Sequence, residues 1–430
     1  MTEEQKLQRA TFHLWTFAIS KLISIFGNSI YTFGISLFVL TLTGSATSFA
    51  INLICSVVPR TLLSPIAGSM ADRYSKKKIV ILSQIFAVLI VSFLLGYSLL
   101  FELNLVAIYI TTAFLSVTTM FTSLTFTSSI ANLIDDTRIQ RAMAINQSAS
   151  SAAAIGGPVI GGILFGVVSM NAFLIIFIVS FSIAVILEAT MNFKLFTKNE
   201  GGEIEHEKMF KSILSGFHYL RKDHILWVIV STALIINFFF TSLLVGLPFI
   251  VIEELGIKSQ HFGVIEAMIG GGILLASLYF SIRKDFKYPL VVVKNAMLLV
   301  SLLLSVIALP LLVNMSYLMM VIFFISLTFL IGVTLTFVNT PVGVMIQKGV
   351  DENYRGRIFG ILETMAQAMV PIGMIVYGLL YDYVSPAWIL IASSACLILV
   401  TAYMIRPSVL RKAYPSRGDE AIQTKKFVTE

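Results

Sequence analysis

Twelve apolar stretches, each long enough to cross a bilayer, alternate along the chain with links that are mostly short and polar. They fall near 12–41, 48–70, 79–100, 104–133, 142–167 and 171–191, then near 224–252, 260–282, 289–312, 316–341, 358–381 and 385–405. Hydrocarbon offers no water to satisfy free backbone groups, and about 20 apolar residues wound as a helix span it with their amides paired. The pattern therefore predicts an all-α membrane protein with twelve transmembrane helices. The charged stretch 192–223 divides them six and six. The expected organisation is a first bundle over 1–191, a linker over 192–223, a second bundle over 224–406 and a tail over 407–430. In the linker, Ile213, Phe217 and Leu220 share one helical face, which fits either a helix lying on the membrane surface or a plain tether.

Composition agrees with the bilayer as solvent: 57% of the 430 residues are hydrophobic and only 12% charged. The net charge of +7 would suit nucleic acid if it formed a basic face on a soluble domain. Here the cations lie in the links. Of the 30 lysines and arginines, all but Lys21, Arg60, Lys258 and Lys294 fall on one side when both termini and the linker share that side. By the positive-inside bias that side is the cytoplasm, so no nucleic-acid partner is expected. The opening "MTEEQKLQRATFHLW" runs into the first span without a small-residue cleavage site and reads as a retained span. Cys55 and Cys396 lie alone in separate spans, so neither a disulfide framework nor a metal site is implied.

The halves resemble each other weakly. "DDTRIQR" (135–141) follows span four and "DENYRGR" (351–357) follows span ten, and an "LTF" triplet precedes each. A helix carrying Pro and Gly follows each, "GGPVIGG" at 156–162 and "PIGMIVYG" at 371–378. Such duplicated bundles are a transporter architecture.

Two stretches carry a family resemblance. "GSMADRYSKKK" (68–78) between spans two and three is similar to the signature loop of the major facilitator superfamily, with Gly68, Asp72, Arg73, Lys76 and Lys77 at matching places and Ser75 where a second Gly is usual. "AAAIGGPVIGG" (152–162) resembles the span-five motif of exporting members through Gly157, Pro158, Gly161 and Gly162. "YRGRIFGILE" and "LTGSATSFA" resemble the macrolide-efflux and siderophore-exporter branch. The resemblance implies two pseudo-symmetric six-helix bundles in the major facilitator fold, with the substrate between them at mid-membrane. It also implies a gating contact in which Asp72 meets the positive start of span eleven, beside Arg355 and Arg357, while Gly68 lets helices approach closely.

Charges inside the spans are the remaining candidates. Arg60 lies deep in span two, and Glu266 and Glu363 are candidate proton-coupling carboxylates, Glu363 being the preferred partner of Arg60. Glu188 and Lys294 are expected near the interface, and Lys21 is expected to snorkel. Thr111, Thr118, Thr122, Thr125 and Ser129 share a face of span four, either lining a cavity or bonding to other helices. Asn28, Thr118, Thr122, Asn237 and Phe240 are the substrate-cavity candidates.

No GxxxxGK[ST] stretch occurs, so direct use of ATP is not expected, and no cofactor is implied. The expected activity is a secondary exporter, a proton antiporter with sodium as the alternative ion, acting as a monomer in the cell membrane. A drug-like amphipathic solute such as a macrolide competes as substrate with a siderophore or other cell product. A membrane-embedded enzyme would need converging His, Asp, Cys or Ser groups at one interface, and the chain has no such cluster.

Overall fold

The computed structural model describes residues 3–193, 195–196, 220–221, 224–284, 286–350, 358, 361–365 and 367–414. Among them every regular element is helical. Twelve helices are long and apolar enough to span a membrane. In the first half they are α1 (Glu4–Thr43), α2 (Ala46–Ala71), α3 (Lys76–Leu100), α4 (Leu105–Ser128), α5 (Ile139–Val167) and α6 (Met170–Ala189). The second half contains α7 (Leu226–Glu254), α8 (Ser259–Ile282), α9 (Pro289–Leu312), α10 (Tyr317–Lys348), α11 (Ile361–Tyr383) and α12 (Pro386–Met404).

Local chemistry sets where these helices start. Ser45, Asn104 and Ser169 cap α2, α4 and α6, accepting from the amides of Ser48 (3.2 Å), Ala107 (2.8 Å) and Ala172 (3.3 Å). The link before α2 is only two residues long, and Gly44 turns it in the left-handed region at φ +58°. Span four is shorter than its apolar run. It stops at Ser128, and Ile130–Leu133 forms a separate short helix. The last turn of α7 widens into a π-helix over Phe249–Glu254, immediately after Pro248, which has no N–H to donate.

The chain forms two compact units. One comprises Met1–Gly202 with Val251–Ala267, and the other comprises Glu203–Ile250 with Met268–Glu430. In the first, α1 packs on α5 and α6, α2 on α4, and α3 on α4 and α6. In the second, α7 packs on α11 and α12, and α9 on α10 and α12. The four pairings of the second unit match α1–α5, α1–α6, α3–α4 and α3–α6 under a six-helix shift, so the faint repeat in the sequence is accompanied by a repeat of packing.

Aromatic side chains fill the first unit. Tyr31 on α1 meets Phe177 on α6 with ring centroids 4.6 Å apart, and Phe177 stacks on Phe181 at 4.1 Å. A second cluster joins Phe17, Phe126 and Phe193. The cores of the second unit are more aliphatic, one around Leu226, Val230 and Ile346 and another around Val228, Leu290, Val293 and Ile405.

Candidate functional site

The second unit holds a partly open cavity of about 440 Å³, with Glu363 exposed at it. Most of its wall is aliphatic, from α7, α9 and α10, and its polar groups are Thr232, Asn237, Asn339 and Glu363. Phe240 supplies an aromatic surface. Thr232 Oγ1 and Asn237 Nδ2 donate to the carbonyls of Val228 (2.5 Å) and Ala233 (2.9 Å) on their own helix. Those bonds leave Asn237 Oδ1 able to accept. The wall thus offers mostly apolar surface, two amides and a single carboxylate, with no cation among its lining residues. Such a composition orients an amphipathic solute through a few polar contacts while burying the remainder.

The structure therefore brings Asn237, Phe240 and Glu363 together around one space. Asn339, which shares it, was not singled out from the sequence; an amide in α10 near the end of a long apolar run was its only signal. Asn28 is half-buried in α1. Thr118 and Thr122 donate to the carbonyls of Leu115 (2.9 Å) and Thr118 (3.0 Å) in their own helix, so neither makes a bond to another helix. The polar contact across helices comes instead from Thr112, which donates to Asn52 Oδ1 (2.9 Å) while Asn52 Nδ2 donates to Ser36 (3.0 Å). Arg60 is exposed on α2 and makes no ion pair with a described residue of its own unit. Glu266 is half-buried on α8 within the first unit.

The span-five motif is a contact surface. Gly157 lies so close to α1 that an added methyl would overlap Ser29, whose Oγ donates to the carbonyl of Ala153 (3.1 Å). On the opposite side, a methyl on Gly162 would come within 2.5 Å of the carbonyl oxygen of Ser259. Gly161 faces Ile30 and Phe33, and Pro158 is buried inside a helix that continues through it. Gly373 of α11 meets Thr241 of α7, as Gly157 of α5 meets Ser29 of α1. This pair of glycine-on-hydroxyl contacts gives the repeated Pro-Gly helices a physical role: close helix approach.

The link 68–78 divides differently from its expected roles. Lys76 Nζ donates to the carbonyl of Ser128 (2.8 Å) at the end of α4. Lys77 Nζ donates to the carbonyls of Ala189 (2.7 Å) and Met191 (2.9 Å) at the end of α6. Cations there satisfy carbonyls left free where a helix ends and complement its dipole. Lys77, read from the sequence as an orientation signal, is thus also a strut inside the first unit. A methyl built on Gly68 meets no described atom within 4 Å. The side chains of Asp72 and Arg73, as well as Arg355 and Arg357, lie outside the described residues, as does the linker stretch around Ile213 and Phe217.

One further expectation is corrected: Lys21 is 4% exposed instead of snorkelling to a surface, while Glu188, in the last turn of α6, is fully buried against its neighbours. Both are held by side chains that α1, α3 and α4 bring to them, and that arrangement has no signature in a linear pattern.

The Major Facilitator Superfamily model matches residues 17–369. The chain belongs to this superfamily. The transporter is similar over nearly its whole length to curated relatives. It is 25% identical to a staphyloferrin A transporter of Staphylococcus aureus over 94% of this chain and 98% of that one. It is 19% identical to macrolide efflux protein A of Streptococcus pyogenes, with 92% and 96% covered. Among solved structures, a bacterial homologue of the iron transporter ferroportin in its inward-facing state superposes with a TM-score of 0.70 at 15% identity, covering 92% of this chain and 98% of that one. At that identity the likeness shows the fold alone. Among the described residues no group of three or more His, Cys, Asp or Glu is placed to hold a metal ion.

Proposed function

We propose that this transporter is a secondary exporter that moves an amphipathic small molecule out of the cell in exchange for protons. The observation that carries the reading is the cavity of the second unit, apolar over most of its wall and furnished with Asn237, Asn339, Thr232 and one carboxylate, Glu363. A solute with a large apolar body and a few polar or cationic groups matches that wall. The names of two relatives, a macrolide efflux protein and a staphyloferrin A transporter, support a small organic molecule as the solute. At about 440 Å³ the cavity lies toward the lower end of the usual small-molecule range, so a macrolide-sized solute would extend beyond it.

The one-sided distribution of lysine and arginine supports a placement with both termini in the cytoplasm and the plasma membrane as the location. The tight α1–α5 packing at Gly157 supports a sealed first unit, as an exporter working against a gradient needs. Asp72 completes the proposal as a latch on the start of α11. A D72N variant that exchanges and transports like the parent would remove the latch from the mechanism.

A panel of lipophilic drugs and siderophores, loaded into cells with and without the protein, tests the function. Lower accumulation of at least one compound in expressing cells, abolished by a protonophore, is expected. Export that persists after the gradient collapses would overturn antiport, and uptake in place of export would overturn the direction.

A further inference from the structure

Inside the first unit, away from the cavity, four helices converge on two buried charges. Glu188 sits in the last turn of α6 and is 0% exposed. Its Oε1 accepts from Ser20 Oγ of α1 (2.6 Å) and from Gln84 Nε2 of α3 (3.2 Å). Gln84, itself 1% exposed, is steadied by a second bond to Ser24 (2.9 Å). Glu188 Oε2 is equally buried and has no hydrogen-bond partner. Next to Ser20 on α1, Lys21 points to α4, where Nζ donates to Ser123 (3.4 Å) and lies 5.7 Å from the centre of the Phe126 ring. The two groups make no direct ion pair.

A purely structural salt bridge would close this contact, because separated charges in a low-dielectric interior are unfavourable. The helices instead hold Glu188 by one oxygen and leave the other open, while Lys21 rests on a hydroxyl and an aromatic face. A carboxylate with one oxygen unpartnered costs more to bury than the neutral acid, so the open Oε2 suits a group that carries a proton in this arrangement. The other titratable groups nearby are His13 on α1 and Lys77 on α3. His13 Nε2 accepts from the amide of Asn192 (3.4 Å), and Lys77 Nζ is occupied by the carbonyls of Ala189 and Met191. No charged residue occurs in α4. Among the described residues, Lys21 is therefore the charge positioned to answer a change at Glu188.

We propose that Glu188 and Lys21 form a proton-exchange site in which Oε2 binds and releases one proton while Lys21 moves between Ser123 and the carboxylate. The step makes one O–H bond with a proton from the aqueous phase and later breaks it; the ammonium keeps its own protons throughout. With Glu188 protonated, Lys21 stays on Ser123 and Phe126, the arrangement in this structure. With Glu188 ionised, Lys21 swings across, drawing α1 and α6 together at the end of the unit where Lys77 ties α3 to α6. The site would give the proposed antiport its proton step, and its role in transport rests on that reading.

Infrared difference spectroscopy on the full-length protein in lipid nanodiscs, titrated from acid to alkaline pH without substrate, tests the site directly. A pH-dependent carboxylic acid C=O band lost in E188Q, with a displaced midpoint in K21Q, is expected. An unchanged band in E188Q, or an unmoved midpoint in K21Q, overturns the proposal. Should E188Q fail to yield monodisperse protein, the K21Q midpoint alone decides. Wild-type export that ignores a protonophore would refute the antiport while leaving the infrared result standing, so the two failures are distinguishable.

Discussion

Replacing Gly157 by alanine adds one methyl group at the α1–α5 contact, and the structure shows what it would strike. The new carbon would overlap Ser29 Oγ, lie 2.6 Å from Ser29 Cβ and 3.5 Å from the backbone carbon of the same residue. A serine hydroxyl can rotate away, but its Cβ cannot. Carbon atoms prefer separations of about 3.5–4.0 Å, so α1 and α5 must part by roughly 1 Å. Overpacking of this kind costs about 1–3 kcal/mol. Rotation also breaks the bond from Ser29 to the carbonyl of Ala153, worth about 0.6 kcal/mol for a typical side-chain bond within a membrane bundle. The expected loss for G157A is about 2–3 kcal/mol, measured by reversible denaturant unfolding in mixed micelles. S29G removes both the Oγ and the Cβ that the methyl strikes, at a helix-interior cost of about 1 kcal/mol. The double variant should therefore be more stable than the sum of the singles predicts, by at least 1 kcal/mol. A G157A protein as stable as the parent, or strictly additive effects with S29G, would refute the packing argument.

Two further outcomes follow from the polar contacts. K77A removes both carbonyl bonds at the end of α6 and should destabilise the protein by about 1–2 kcal/mol, whereas K78A, exposed and with no such bond, should stay within about 0.5 kcal/mol of the parent; equal losses in the same unfolding assay would count against the strut. F240W, which fills part of the cavity, should reduce export of the largest accepted compounds first, and E363Q should lower export of cationic compounds by tenfold or more while sparing neutral ones. Uniform loss across the panel in E363Q would place that carboxylate in coupling instead of recognition.

The helical class and the number of long apolar helices could be read from the chain because hydrocarbon permits few backbone solutions, and each span is written as a continuous apolar run. Repeated Pro-Gly helices were also legible, since small residues mark close approach wherever they recur. The fate of individual polar residues was not. Thr118 and Thr122 share a face by spacing, and the structure returns their hydroxyls to carbonyls of their own helix, a choice open to any threonine in hydrocarbon that spacing does not announce. Lys77 looked like an orientation signal because its acceptors belong to a helix more than a hundred residues away.

Composition and order thus determined that the chain is all-helical with twelve segments long and apolar enough to cross a membrane. Those properties depend on the transfer of whole segments into lipid, which sums over about 20 residues and tolerates local exceptions. Only the tertiary structure decided that Glu188 and Lys21 are buried and that Asn237, Asn339 and Glu363 share a cavity. A side chain's surroundings depend on which neighbouring helix it faces, and the linear pattern specifies helices one at a time.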